Sequence, residues 1–301
     1  MTIRESISTQ ELEGRAAVIT GGAKGIGLAA AKRLASLGMK LCLADNDAAA
    51  LEEAREELVP LVSDEGALRL EVVDVSSFDE VERLRDVAYE AFGEVALLIN
   101  NAGIGGPGMK PWDGPKEWGG IVAVNFWGVA HGVQAFTGAM ISQERPSAIV
   151  NVGSKEGITT PPGNVAYSVS KAGIKVLTEQ LAHELRQIDG CPVSAHLLIP
   201  GWTFTSINAS GPIDEANKPE GAWTTDQVAE FMLEGVESGN FYILCPDNSV
   251  TREMDERRVE WGARDLIENR PALSRWHPEY EDAFARHMEG AKNPEESAPL
   301  G

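Results

Sequence analysis

The sequence predicts an α/β fold: a doubly wound, parallel sheet of seven strands with helices on both faces, plus a helical C-terminal extension. Three observations carry this expectation. Short apolar runs alternate with longer helical patterns up to about residue 246. Several of the runs are apolar at every position rather than at every second one, as strands covered on both faces require. The first run ends in glycines that open directly into a helical pattern.

Taken in order, "AAVIT" (Ala16–Thr20) is the first strand, and the helix after it carries Ile26, Ala29, Ala30, Leu34 and Leu37 before Gly38 stops it. "KLCLAD" (Lys40–Asp45) is the second strand, with a charged helix from about Ala48 to Leu61. "LRLEVVDV" (Leu68–Val75) is the third, followed by a helix over Phe78–Phe92. "VALLIN" (Val95–Asn100) is the fourth, and a long helix fills much of Lys116–Met140. "SAIVNVG" (Ser147–Gly153) is the fifth, followed by a helix from about Val165 to Gln187 and a sixth strand, "PVSAHLLIP". A helix near Thr225–Gly235 and a seventh strand, "FYILCP" (Phe241–Pro246), complete the alternation. No Ser/Pro-rich linker divides the chain, so residues 1–246 read as one domain. Residues 247–301 differ: they are charged, carry Trp261, Trp276, Tyr280 and Phe284, and break at Pro271. They read as two or three helices added to the same domain, either as a surface or subunit-contact extension or as a lid.

The totals narrow the function. The 301 residues suffice for a sizeable core, and 43% apolar with 24% charged residues is a globular mix. A formal charge of −20 repels polyanions and anionic bilayers, which sets aside nucleic-acid and membrane partners. Three unclustered cysteines, Cys42, Cys191 and Cys245, point to a reducing compartment and so to the cytoplasm. The polar N-terminus has no apolar stretch of signal-peptide type. Five scattered histidines show no metal-ligand spacing, so no metal is expected.

"TGGAKGIG" (Thr20–Gly27) joins the first strand to the first helix. Gly21, Gly25 and Gly27 permit a tight turn, close approach to a pyrophosphate and close helix–strand packing, while the helix N-terminus offers unpaired N–H groups. Asp45 follows 18 residues after Gly27, at the end of the second strand. An acid there accepts hydrogen bonds from the adenosine ribose and repels a 2′-phosphate; it could also simply cap the next helix. Lys24, inside the turn, pulls the other way. With no compensating cation at Asn46, NAD is favoured over NADP.

Tyr167 and Lys171 stand four residues apart in "NVAYSVSK", neighbours on one helix face. Ser154 precedes Tyr167 by 13 residues and sits just past the fifth strand, so a returning helix can bring serine and phenol together. With Asp74-Val75, "NNAG" (Asn100–Gly103), Asn125 in "VNFWG", and "PGWTFT" (Pro200–Thr205), these motifs stand in an order that resembles the short-chain dehydrogenase/reductase family of the shorter, single-domain type. The resemblance covers about residues 14–246.

That resemblance implies a Rossmann-like fold and an NAD-dependent hydride transfer between nicotinamide and a secondary alcohol or ketone. Tyr167 would act as general base in oxidation and general acid in reduction, its pKa lowered by the Lys171 ammonium. Lys171 would also bind the nicotinamide ribose, Ser154 would hold the substrate oxygen, and Asn125 would support a water linking Lys171 to solvent. For the cofactor the resemblance implies Gly21, Lys24, Gly25, Ile26 and Gly27 at the phosphates, Asp45 at the ribose and Asp74 with Val75 at the adenine. Asn101, Ala102 and Gly103 would line the adenosine side, and Pro200, Gly201, Thr203 and Thr205 the carboxamide.

Two departures from the family pattern are visible. The seventh strand runs into "CPDNS" rather than a glycine-rich ending, and the C-terminal addition lies outside the usual core. Both bear on the usual subunit contact, though a homo-oligomer, dimer or tetramer, stays the default expectation. Trp112, Trp202, Phe204 and Trp223 fall in segments expected near the substrate and suggest an apolar or aromatic small molecule. A non-catalytic NAD(H)-binding sensor or scaffold is the alternative, but it has no chemical need for the complete Ser154, Tyr167 and Lys171 set.

Overall fold

The computed structural model describes residue 7, residues 11–205, residue 207 and residues 215–289. Part of the predicted substrate segment (Ser206 and 208–214) and the end of the predicted extension (290–301) lie outside the described residues.

Seven parallel strands form one sheet: β1 (Ala16–Thr20), β2 (Lys40–Asp45), β3 (Leu68–Val72), β4 (Leu97–Asn100), β5 (Ser147–Val152), β6 (Val193–Ile199) and β7 (Tyr242–Leu244), in the order β3-β2-β1-β4-β5-β6-β7. The chain builds outward from β1 in one direction and then starts again at β4 on its other side. The reversal opens a crevice at the carboxyl ends of β1 and β4, where helices leave in opposite directions.

Strand burial explains the continuous apolar runs. Every residue of β1, β4 and β5 is buried, whereas the edge strand β3 buries only Leu68 fully. Neighbouring residues serve opposite faces: Ile19 and Leu43 pack with Leu34 of α1 (Gly25–Ser36), Leu51 of α2 (Ala48–Leu58) and Met232 of α8 (Thr225–Glu237). Val18 and Leu98 pack with Leu84 of α3 (Phe78–Phe92), Phe136 of α5 (Gly128–Ser142) and Leu185 of α7 (Val165–Gln187). Between β4 and α5 the chain forms α4 (Pro115–Val122) and then a single wide turn of π type over Ala123–Trp127, so the predicted long helix is continuous but locally unwound. A short α6 (Glu156–Thr159) follows β5. After β7 come α9 (Arg252–Ile267) and α10 (Glu281–Met288), joined by two short 3₁₀ turns. Trp261 of α9 anchors this part: it is buried, donates to Ser274 Oγ at 2.8 Å and lies under the Arg270 guanidinium. Among the described residues no helix is long and apolar enough to cross a membrane.

Two glycines separate close approach from mere permissiveness. A methyl group at Gly27 would stand 2.1 Å from the Gly21 carbonyl oxygen, so only glycine lets α1 start this close to the first turn. At Gly138, exposed on α5, an added methyl meets nothing within 4 Å. Gly27→Ala is therefore expected to lower stability in urea unfolding by about 1–3 kcal/mol through overpacking. Gly138→Ala should raise it by about 0.5–1 kcal/mol through helix propensity alone.

Candidate active site

A cleft of 840 Å³ lies along the carboxyl ends of the central strands. One end is the turn between β1 and α1. Gly21 and Gly25 hold positive φ angles of 61° and 57°, which glycine adopts without a side-chain clash. Asn101 braces this turn, its amide donating to the carbonyl oxygens of Thr20 at 3.0 Å and Gly21 at 2.9 Å. Lys24 provides no side-chain cap to α1, and no acid lies in the helix's first turn, so nothing on its own side chains competes for the N–H groups facing the cleft. A glycine cradle leading to an uncapped helix start suits the pyrophosphate of a dinucleotide.

Asp45 closes the next side. Its carboxylate accepts from the backbone N–H of Ala23 and of Asp47, both at 3.2 Å. Asp47 caps α2 by accepting from Ala50 and also binds the Lys24 ammonium at 2.8 Å. The cation that could attract a ribose phosphate is thus held by one carboxylate and faces a second. Asp74 is exposed at the rim, where its carboxylate accepts from Ser76 N–H at 2.9 Å, and Val75 is buried against Gly128.

The other end of the cleft holds Ser154, Tyr167 and Lys171. Tyr167 and Lys171 stand one turn apart on α7, and the Lys171 ammonium lies 5.6 Å from the phenol ring centre. Lys171 is buried and donates to the Val152 carbonyl, at the last residue of β5, at 2.8 Å. Two residues on, Ser154 lines the cleft beside the Tyr167 phenol. Strand β5 therefore fixes the ammonium through its final carbonyl and the serine through its exit. Gly157 makes this possible: a methyl there would stand 2.5 Å from the Lys171 carbonyl carbon, so α6 could not otherwise lie against α7.

The protonation states differ from the sequence expectation. In the protein alone, burial pushes Tyr167 up to about 12, Ser154 opposes the rise, and the Glu156 charge adds to it. Burial lowers Lys171 to about 8. Adjacency to an ammonium does not by itself make the phenol acidic, because the same dry surroundings that shorten the reach of solvent also disfavour phenolate.

Most predicted residues share this cleft: Gly21, Lys24, Gly25 and Ile26, then Asp45, Asp74 and Val75, then Asn101, Ala102 and Gly103. Ser154, Tyr167 and Lys171 line it too, as do Pro200, Gly201, Thr203 and Thr205. Gly27 and Asn125 stand behind it. Asn125 is fully buried in the π turn, accepting from Ile104 N–H at 2.8 Å, donating to Ile104 O at 3.0 Å and to Ser170 Oγ at 3.3 Å. It fixes the loop after β4 beside Lys171, and wide turns of this kind recur at functional sites. Of the four aromatics expected at the substrate, only Trp202 lines the cleft. Trp223 packs edge-on against Phe231, Phe204 is buried, and Trp112 is 76% exposed beside Lys110. Packing, not ligand contact, accounts for Phe204 and Trp223.

Sequence reading missed a charged network under the catalytic loop. Lys155, next to Ser154, reaches Asp247 beyond β7 at 3.2 Å and Asp255 on α9 at 2.6 Å. Asp247 also accepts from Trp202 N–H at 3.2 Å. The extension is therefore tied by buried charge to the segment that carries Ser154. Burial raises the Asp255 carboxyl despite the ammonium beside it. Lys155→Met would leave buried Asp247 without its cation and Asp255 with only Arg258, 3.6 Å away, and should cost about 3 kcal/mol in denaturant unfolding. Asp255→Asn removes the costlier charge while Asp247 still pairs with Lys155, so its loss should stay within about 1 kcal/mol.

A parallel sheet with a phosphate cradle at one end of its crevice and a serine, tyrosine and lysine at the other defines a dinucleotide-dependent oxidoreductase of Rossmann type. Comparison with known proteins agrees. Residues 15–216 match the family described as short chain dehydrogenase, and the chain belongs to the short-chain dehydrogenase/reductase family. It is 30% identical over 252 residues to 1-deoxy-11-beta-hydroxypentalenate dehydrogenase of Streptomyces avermitilis, covering 83% of this chain and 91% of that one. The crystal structure of a short chain dehydrogenase/reductase from Burkholderia phymatum in complex with NAD is 35% identical, with a TM-score of 0.77 over 87% of this chain and 97% of that one. An alcohol dehydrogenase from Thermococcus sibiricus, complexed with 5-hydroxy-NADP, is 27% identical with a TM-score of 0.64, covering 72% and 88%.

Proposed function

We propose that this chain is an NAD-dependent dehydrogenase that interconverts a secondary alcohol and its ketone, with Tyr167 as the general acid/base. The observation that carries the reading is that Ser154, Tyr167 and buried Lys171, the last two one helical turn apart, line the same cleft as the glycine cradle. Relatives that include a hydroxy-compound dehydrogenase and a structure holding NAD support it.

NAD⁺, when bound, would supply the hydride acceptor and a positive charge, with the glycine cradle and Lys171 among the residues that would hold it. Ser154 donates to the substrate oxygen as charge develops on it. Tyr167 takes the hydroxyl proton in oxidation and returns it in reduction. Bringing a phenol from about 12 to neutrality requires ~7 kcal/mol of preferential stabilisation of phenolate. An ammonium 5.6 Å away supplies ~3 kcal/mol at an effective dielectric constant of about 20. The value of about 12 already includes the lowering by Ser154, so the balance has to come from the charge of the loaded site, which couples proton removal to the presence of the oxidised cofactor.

NAD rather than NADP is the second part of the reading, supported by Asp45 and by the pairing of Lys24 with Asp47. A homo-oligomer in the cytoplasm is the third, supported by exposed Trp127, Val169 and Val176 beside and along α7 and by three buried, free cysteines.

Tyr167→Phe should lower kcat for alcohol oxidation by at least about 10²-fold while NAD⁺ still binds, as read by nicotinamide absorbance and by titration calorimetry. Near-intact turnover would remove the tyrosine from the mechanism. In Lys171→Met the phenolate loses its cation, so the rising limb of the oxidation pH profile should move to higher pH by about one unit or more. For the cofactor, Asp45→Ala should narrow the preference for NAD⁺ over NADP⁺ in kcat/KM by about tenfold or more; equal use of both by the parent would overturn this part.

A further inference from the structure

The cleft contains a carboxylate that the hydride chemistry does not use. Glu156 opens α6 two residues after Ser154 and its backbone N–H donates to Ser154 Oγ at 3.2 Å. Its side chain lines the same cleft, half-exposed, and accepts from the Asn164 amide at 3.2 Å. The Asn164 amide oxygen is itself shut off from the cleft, so Asn164 serves to orient Glu156, and the Glu156 carboxylate is the acceptor offered a few residues from the serine and the phenol.

The cations nearby do not answer this charge. Lys155 is engaged by Asp247 and Asp255, Lys171 donates to the Val152 carbonyl, and Lys24 is bound to Asp47 at the far end. A partly buried carboxylate with lone pairs left over after its bond from Asn164 favours a ligand that brings a donor. A carboxylate substrate would meet Glu156 as a like charge in a poorly hydrated place. An ammonium would complement Glu156 but share the cleft with the Lys171 cation. A neutral hydroxyl meets neither objection.

Resting on the dehydrogenase reading above, we propose that Glu156, with Asn164, forms a subsite for a second hydroxyl of the substrate, so that the preferred substrate is a neutral diol or the matching hydroxyketone rather than a hydroxy acid. Glu156 orients that substrate by accepting from the non-reacting hydroxyl while Ser154 and Tyr167 hold the reacting one.

Four alcohols with one reacting centre test this: butan-2-ol, butane-1,3-diol, 3-hydroxybutyrate and 4-aminobutan-2-ol, each with NAD⁺ and the full-length protein. The diol should exceed the mono-ol in kcat/KM by about tenfold or more, the worth of a hydrogen bond to a charged group, and the hydroxy acid should fall below the mono-ol. In Glu156→Gln, with NAD⁺ affinity measured to show an intact fold, the diol-to-mono-ol ratio should drop by about tenfold and the acid-to-mono-ol ratio should rise. Equal ratios in parent and variant, or a parent that prefers the amino alcohol, would overturn the subsite and leave the dehydrogenase reading standing. A parent that binds NAD⁺ yet oxidises none of the four would overturn both.

Discussion

An ammonium held out of water beside a phenol is the constraint on which the rest of the cleft depends. Lys171 is buried, no ion pair to it forms among the described residues, and its one hydrogen bond goes to a strand carbonyl. Such a placement is unfavourable in itself. It is tolerable because α7 is long and rigid, because α6 lies against it through Gly157, and because β5 ends where its final carbonyl meets Nζ. The same packing keeps Tyr167 dry. Fold stability and chemical function therefore act on the same few contacts, in opposite directions.

The sheet supplies the geometry that makes this arrangement useful. Because the chain restarts at β4, the cradle after β1 and the serine after β5 open onto one crevice, with the Asn101 brace between them. Asn125 contributes from behind: by closing both hydrogen bonds of Ile104 it fixes the loop next to Lys171 without touching the space a ligand would take. Around Lys171 rigidity is thus built from backbone carbonyls and amides, while opposed charges enter one residue from Ser154, at Lys155.

Much of this was legible in the sequence, for local reasons. Continuous apolar runs mark strands covered on both faces, and the helix over Val165–Gln187 begins and ends where its pattern does. Strand ends were less legible. "LRLEVVDV" continues to look like strand through Val75, but β2 ends at Asp45, paired with Val72, and pairing stops with its partner. The π turn leaves no mark in "AVNFW", since it depends on an amide clamp to a residue 21 positions away. Lys155 gave no hint of its partners because Asp247 lies 92 residues further on. The aromatics misled because a tryptophan in a loop reads alike whether it faces a ligand or, as Trp223 does, another ring. The phenol's pKa direction could not be read at all from spacing, as it is set by how much water the fold removes.

The bond between Lys155 and the two aspartates changes what the C-terminal segment is. A chain stopped after β7 would keep every motif of the cradle together with Ser154, Tyr167 and Lys171, and by its motifs it would pass for a complete dehydrogenase. It would also lose Asp247, Asp255 and the helix that shields Lys155, and so would hydrate an unpaired charge adjoining Ser154. The tail is in this sense a source of counterions delivered by the chain itself, and the charge beside Ser154 is answered only when Asp247 and Asp255 have folded against it.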